Sequence, residues 1–282
     1  MATGMLERLH GLGRVKAVRA LVGGLNALVA PLGPWPVKVD GLTIMAGSLD
    51  RLAVLWLMRA KRGDRLALEL WDGLCRPGAV VLDVGANLGL YALRAARRVG
   101  PDGRVIAFEA DPDNARLLNL SVARNRLDNV TIRAEAVAAA KGAVRLFIRP
   151  EHKGDSELSY PGGDRPSIEV PAVTIDAALA GDLRVDLMKL DIQGAEAFAI
   201  RGMEAMLAAS PGLKVISEFW PEGLARCGMK PLDYLRWWHE RGFAISRIDE
   251  EEGRLEPVED LAALTEQAHA HQDANLFLER RP

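Results

Sequence analysis

Cysteine is scarce. Cys75 and Cys227 are the only two in 282 residues, far apart and outside any C-x-x-C pair, which excludes a zinc ribbon and a thioredoxin-type motif. One disulfide or two free thiols remain open, and two buried thiols in a reducing cytoplasm are the simpler expectation. Long apolar runs are also missing: nothing approaches the roughly 20 residues needed to cross a bilayer. The nearest stretch, 20–32, is interrupted by Gly23, Gly24, Asn26 and Pro31. It follows Arg14, Lys16 and Arg19 as in a signal peptide, but no clear small-x-small cleavage site comes after it, so a cytoplasmic location is expected. Neither charge sign dominates, with 36 Lys plus Arg against 38 Asp plus Glu. A net charge of −2 gives no global field to concentrate nucleic acid, and none is expected as a partner. No internal repeat is visible. A composition of 49% hydrophobic and 26% charged residues argues against collagen, disorder and coiled coil.

What is present begins with a basic amphipathic stretch. Leu6, Leu9, Leu12, Val15, Val18, Leu21 and Val22 recur at helical spacing, with Arg8, Arg14, Lys16 and Arg19 between them. Residues 5–30 are a candidate for peripheral contact with a membrane or a partner, against the simpler reading of a helix packed on the main domain. Val37 and Val39, then Leu42 and Ile44, alternate around Asp40-Gly41, which predicts a hairpin with a type I′ turn. Residues 50–70 read as helix. The expected division is 1–75 as helices and hairpin packed on the core, and 76–282 as the main domain.

From Ala79 strands and helices alternate. Continuous apolar runs at 79–84, 104–109, 130–134, 186–191 and 213–218 read as strands buried on both faces. Helices are predicted over 88–99, from Asp111 (a cap with Pro112 behind it) to about 126, and over 195–208. The fold class is α/β: Rossmann-like, doubly wound, with a mostly parallel sheet. An insertion, 142–174, carries strand-like runs at 144–148 and 168–173 around a polar loop, 150–166, and reads as a β-hairpin between strands three and four. A helix over 231–241 and strands over 243–248 and 275–279 complete the chain. Ligands of such sheets bind beyond the carboxyl ends of the strands.

The first of these strands runs into Asp83-Val84-Gly85-Ala86-Asn87-Leu88-Gly89, a D-x-G-x-N-x-G turn opening a helix. A dinucleotide loop needs a second glycine where this chain has Asn87, so pyrophosphate is disfavoured. A nucleoside without phosphates suits the turn better. S-adenosylmethionine (SAM) is one: its ammonium suits Asp83, its carboxylate suits amides at a helix start, and Gly85 and Gly89 admit close approach. Glu109 ends the second strand beside this turn, where a carboxylate can accept both hydroxyls of a ribose. Glu135, after the third strand, is a candidate for the adenine amino group.

Five segments together resemble the FkbM-type SAM-dependent methyltransferases: VVLDVGANLGLYALRAA, RVIAFEADPDNARLLNLSVARN, VPAVTIDAAL, VDLMKLDIQGAEAFAIRG and ISEF. The resemblance covers roughly residues 36–219. It implies a seven-stranded sheet with a reversed last strand, SAM as cofactor, and methylation of a hydroxyl on a sugar, glycan or polyketide-type acceptor. The family commonly has an acid where this chain has Gln193, and an amide can neither act as a base nor neutralise a cation.

Methyl transfer from a sulfonium needs alignment and the removal of one proton. Asp191, at the end of the fourth strand, is the first candidate for the acceptor contact or base; Glu218, at the end of the fifth, is the second. His152, in the insertion loop, titrates near neutrality and is a third. Trp220 is a candidate stacking platform for the acceptor. No metal is expected, since two carboxylates alone are a poor site for one. A catalytically silent SAM-binding or scaffold protein and, less well matched, a nicotinamide oxidoreductase are the alternatives.

Overall fold

The computed structural model describes residues 33–48, 64–148, 156–159, 164–271 and 273–280. The basic stretch 5–30 and His152 lie outside these residues, as does most of the helix expected over 50–70.

β1 (Trp35–Val39) and β2 (Leu42–Ala46) form the expected hairpin, with Asp40 at φ 48° and Gly41 at φ 80°. Two successive positive φ values are what a type I′ turn requires. The hairpin lies on two helices of the main domain, its Val37, Val39, Leu42, Ile44 and Met45 sharing one cluster with Leu88, Leu90, Leu93 and Leu117. Asn125 donates to the Thr43 carbonyl at 2.6 Å and accepts from the Thr43 amide at 2.8 Å, so the open edge of β2 is satisfied by a helix side chain. α1 (Arg65–Leu74) follows, and its Trp71 is fully buried.

The main sheet is built from β3 (Val80–Val84), β4 (Arg104–Phe108), β5 (Val130–Arg133), β9 (Leu187–Leu190), β10 (Lys214–Phe219), β11 (Phe243–Asp249), β12 (Arg254–Pro257) and β13 (Ala274–Arg280). Its order is β12-β11-β13-β10-β9-β3-β4-β5. The β5-β4-β3-β9-β10 half is parallel, and β13 runs antiparallel between β10 and β11. The reversed last strand is therefore present, but the sheet has eight strands, not seven, because the chain turns back after β11 to add β12 as an antiparallel edge.

The apolar runs divide between two faces. In β3, Val81 faces α1 and α2 (Leu90–Val99), while Leu82 and Val84 join the opposite core with α6 (Glu204–Ala209) and α8 (Pro231–Glu240). This is why the strand shows no polar alternation. α3 (Pro112–Asn125) starts as predicted, with Asp111 accepting from the Asp113 amide at 2.8 Å.

The insertion is more than a hairpin. β6 (Ala136–Val137), β7 (Gly142–Phe147) and β8 (Ser167–Val173) form a separate three-stranded sheet in the order β6-β8-β7, with β6 parallel to β8. β6 is two residues long, too short to leave a periodic signal. After α4 (Ile175–Ala178), the helix expected over 195–208 is broken into α5 (Glu196–Ala199), a 3-10 turn (Ile200–Gly202) and α6. Gly202 lies against Thr174 and the Ala138 carbonyl, and that close approach interrupts the helical path. α7 (Pro221–Arg226) follows β10, and α9 (Leu261–His271) precedes β13. Cys75 and Cys227 are both buried free thiols. Among the described residues no helix is long and apolar enough to cross a membrane.

Candidate functional site

The glycine turn sits where β3 ends. Gly85 and Ala86 donate their amides to the Phe108 carbonyl at 3.0 and 2.9 Å, joining the turn to the end of β4. Gly85 has φ 88°, and a Cβ there would overlap the backbone carbonyl of Asp191. Only glycine lets the turn after β3 press against the chain leaving β9. Gly89 closes the turn, its amide on the Ala86 carbonyl at 2.8 Å, and α2 begins at the next residue.

Two carboxylates flank this turn. Asp83 is 1% exposed, and neither of its oxygens has a well-formed hydrogen bond, the Ala92 amide giving only a weak contact. Burial lifts its pKa to about 6; Lys189 and the Ala92 amide pull the other way. A buried, unpaired carboxylate is costly, and a cationic ligand would relieve it. Glu109 accepts from the Asn87 amide at 2.6 Å and from the Asp111 amide at 2.8 Å. Burial raises it to about 7 despite those bonds. Asn87 offers its backbone amide to Glu109 from a left-handed conformation at φ 52°. With a third hydrogen bond from the Asn114 side chain, the carboxylate keeps about one open acceptor direction, which the two hydroxyls of a diol can share. Asp83 and Glu109 on adjacent strands fit the ammonium and ribose of SAM, with Gly85 and Gly89 shaping the turn between them. Glu135 is half-buried just after β5 and paired with Arg133 at 2.6 Å, a partner that sequence spacing did not suggest; the Arg133 carbonyl in turn accepts the Glu109 amide at 3.0 Å.

A second group of side chains gathers at the ends of β9 and β10. Lys189, in register with Asp83 across β3 and β9, donates to Asp191 at 2.5 Å and lies 4.6 Å from the centre of the Tyr91 ring. Burial alone would raise Asp191; the Lys189 ammonium overrides it and holds that carboxylate below its ordinary value. Glu218 is raised well above the ordinary carboxylate, by burial first and then by Asp191 and Glu196. Gln193 joins the two acids: its amide nitrogen lies 3.4 Å from Asp191 and 3.1 and 3.3 Å from the two oxygens of Glu218. The sequence marked Gln193 only as a departure, whereas the structure makes it the bridge, from a left-handed backbone at φ 56°. Asp191 makes no bond to the amides that open α5. Glu196 does, accepting from the Ile192 amide at 2.7 Å, and its other oxygen is buried without a partner.

Some groups here were missed entirely. Glu250 reaches from the turn after β11 to accept the Leu66 and Ala67 amides at 2.8 and 2.9 Å, capping α1 in place of a local residue. Asp64 and Asp273 also feel the charges of this group, Asp64 those of Lys189, Asp191 and Glu250, and Asp273 that of Asp191. No local motif announces contacts between residues so distant in the chain. The Trp220 ring covers Gly223 and faces the Arg226 guanidinium at 5.0 Å. The described part of the insertion loop is tied down. Ser159 donates to the Arg226 carbonyl at 2.9 Å, and Glu157, 1% exposed, pairs with Arg165 and Arg226 at 3.2 Å each.

Similarity to known proteins matches this geometry in part. An arsenite methyltransferase of Halobacterium salinarum is 29% identical over 145 residues, which is 46% of this chain and 36% of that protein. A ribosomal protein L11 methyltransferase of Chloroflexus aurantiacus is 36% identical over 80 residues, 28% of this chain and 24% of that one. The chain therefore matches only about a third and a quarter of these curated relatives. Among solved structures, a SAM-dependent O-methyltransferase of Thermotoga maritima aligns over 88% of this chain and 78% of its own, at 14% identity and a TM-score of 0.43. The family described as methyltransferase FkbM domain matches residues 83–245, from the carboxylate before the glycine turn into β11. That span is more than half of the chain and holds the turn, Glu109 and the Asp191–Gln193–Glu218 group, so the chain belongs to the FkbM methyltransferase family.

Proposed function

We propose that this chain is a SAM-dependent O-methyltransferase whose acceptor is a hydroxyl on a sugar, glycan or polyketide-type molecule. SAM is its cofactor, and supplies an activated methyl group on a sulfonium. The observation that carries the reading is the pair of buried carboxylates, Asp83 and Glu109, on either side of a glycine turn, one of them with no well-formed hydrogen bond of its own. Asp83 offers a negative charge to the ammonium. Glu109 offers lone pairs to the ribose hydroxyls. Asp191, just past β9, and Glu218, near the end of β10, stand where an acceptor hydroxyl approaching the methyl group would meet a carboxylate. A hydroxyl, unlike an amine, must lose a proton to become a good nucleophile, and this pair offers a place for it.

A neutral acceptor suits the site better than a nucleic acid. Asp64, Asp191, Glu218 and Asp273 interact electrostatically around Lys189, which is already paired with Asp191. A phosphate would face these acids with Lys189 already taken, whereas a neutral hydroxyl brings no charge to the site. We further read the chain as cytoplasmic, with residues 5–30 as its candidate peripheral contact.

Calorimetry with SAM tests the donor half. Glu109→Ala removes two charge-assisted hydrogen bonds and is expected to cost about 2–4 kcal/mol of binding. Asp83→Asn is expected to weaken SAM more than a deaminated analogue. Unchanged SAM affinity in both folded variants defeats the assignment. Labelled methyl transfer onto neutral glycosides, RNA and protein then distinguishes the acceptor class. Transfer to RNA or protein alone would refute the hydroxyl-of-a-glycan reading.

A further inference from the structure

The two acids of the acceptor side are not equivalent, and the difference lies in their partners. Asp191 is held by an ammonium at 2.5 Å, and that ammonium is itself fixed over the Tyr91 ring. Glu218 has no cation bonded to it: it receives the neutral amide of Gln193, shared across both its oxygens at 3.1 and 3.3 Å, and shares a hydrogen bond with Asp191. A carboxylate in an ion pair is a weak base; one facing other carboxylates without a cation is a stronger one. We infer that Glu218 takes the proton of the acceptor hydroxyl, that Asp191 orients that hydroxyl as a standing anion, and that Gln193 positions Glu218 against Asp191. This rests on the O-methyl transfer reading.

The step balances. The acceptor O–H bond breaks and its proton passes to a Glu218 oxygen. The acceptor oxygen forms a bond to the methyl carbon while the carbon–sulfur bond breaks, its electron pair staying on sulfur. The sulfonium becomes a neutral thioether, and Glu218 returns its proton to water. Charge is conserved, since an anion and a cation disappear together.

The charged and titratable groups around Glu218 come from several elements. Asp191 and Lys189 lie at the end of β9, Glu196 on α5, and Asp273 before β13; Tyr234, on α8, also feels its charge. The three acids raise Glu218, and Lys189 alone opposes them. Gln193 does what an acid at its position could not: it holds two carboxylates together without adding a third. It needs the left-handed backbone to do so, and the Gly194 backbone that follows lies against Gly223 of α7.

The test uses the full chain and has two arms. In the first, glutamate carboxyl carbons are labelled and titrated by NMR. A resonance absent from Glu218→Gln should titrate above the ordinary glutamate range. It should move down in Asp191→Asn, which removes a negative neighbour, and up in Lys189→Met, which removes the cation. If Glu218 titrates with the exposed glutamates, the inference is overturned whether or not an acceptor is known. In the second arm, a panel of methyl glycosides serves as acceptor probes. Glu218→Gln should lower kcat by about 100-fold or more with SAM affinity within a few-fold. Asp191→Asn should lose less and shift the rising limb of the pH profile to lower pH. Gln193→Ala should lower kcat and move the same limb, while Gln193→Glu should move it to higher pH. A Glu218→Gln enzyme with normal kcat and an unmoved limb overturns the proposal. If the unmodified chain binds no SAM, the functional reading fails instead, and the titration still decides which acid holds a proton.

Discussion

At the residue scale, the junction of Gly85 with Asp191 is the least forgiving point described. Gly85→Ala combines a φ of 88° with a Cβ placed on a backbone carbonyl, and backbone cannot swing aside. Gly89→Ala carries similar strain at φ 91°, but its Cβ meets the end of the Leu118 side chain, which can rotate. The left-handed penalty alone is about 1–2 kcal/mol for either. Gly85→Ala should therefore cost clearly more in chemical denaturation, and should separate β3 from β9 enough to abolish SAM binding. Equal losses in the two variants would show that the carbonyl contact does not matter. Glycines at 85 and 89 were legible in the sequence as a turn. The second partner, Asp191, was not, because it lies more than a hundred residues on and touches the turn through its main chain.

At the scale of elements, the hairpin and α1 are fastened to the core by one buried arginine. Arg94 of α2 donates to Asp72 of α1 through Nε at 3.0 Å and through a second nitrogen, and to Asp40 of the hairpin turn at 2.6 Å. Arg98 adds a bond to the same Asp72 at 2.7 Å. Side chains of Arg94 and Asp72 are 10% and 11% exposed, so removing the Asp72 charge leaves the buried Arg94 with Asp40 alone, itself 42% exposed. Asp72→Asn is expected to destabilise the fold by about 3–5 kcal/mol. Glu69→Ala, in the exposed Arg65–Glu69 pair, should cost no more than about 0.5 kcal/mol. Comparable losses in urea melts would mean that the network is surface decoration. We propose on this ground that the described residues before 76, the hairpin and α1, fold on the core and are not an independent unit. Strand and helix positions in the parallel half were readable because burial on two faces leaves long apolar runs. The broken helix at 196–209 and the two-residue β6 were not, since backbone contacts with distant chain decide both.

At the scale of the whole molecule, the site sets a pH dependence. Asp83 is raised to about 6, and Glu109 and Glu196 to about 7, each by burial first. Between the ordinary carboxylate values and these, the folded chain holds more protons than the unfolded one. Stability therefore falls as pH rises through that window. Asp191, lowered by Lys189, acts only at more acid pH and does not cancel the effect. The thermal midpoint without ligand should drop between about pH 5 and about pH 7.5, by an amount on the order of a few kcal/mol in stability. Saturating SAM should flatten the drop by pairing Asp83 with a cation. A midpoint that is flat or rising over this range without ligand would contradict the burial of these acids.

The reversed strand also has a meaning for biosynthesis. β11 joins the parallel half of the sheet only through β13, which separates it from β10 and pairs with both. β13 is the last of these strands to be translated. Until residues 274–280 leave the ribosome, β10 presents an unpaired edge and the β11–β12 hairpin has nowhere to dock. Such nascent edges are openings for wrong pairing between chains. Production of this chain should therefore be more sensitive to chaperone supply, and to ribosome stalling between the codons of β10 and those of β13, than to events earlier in translation.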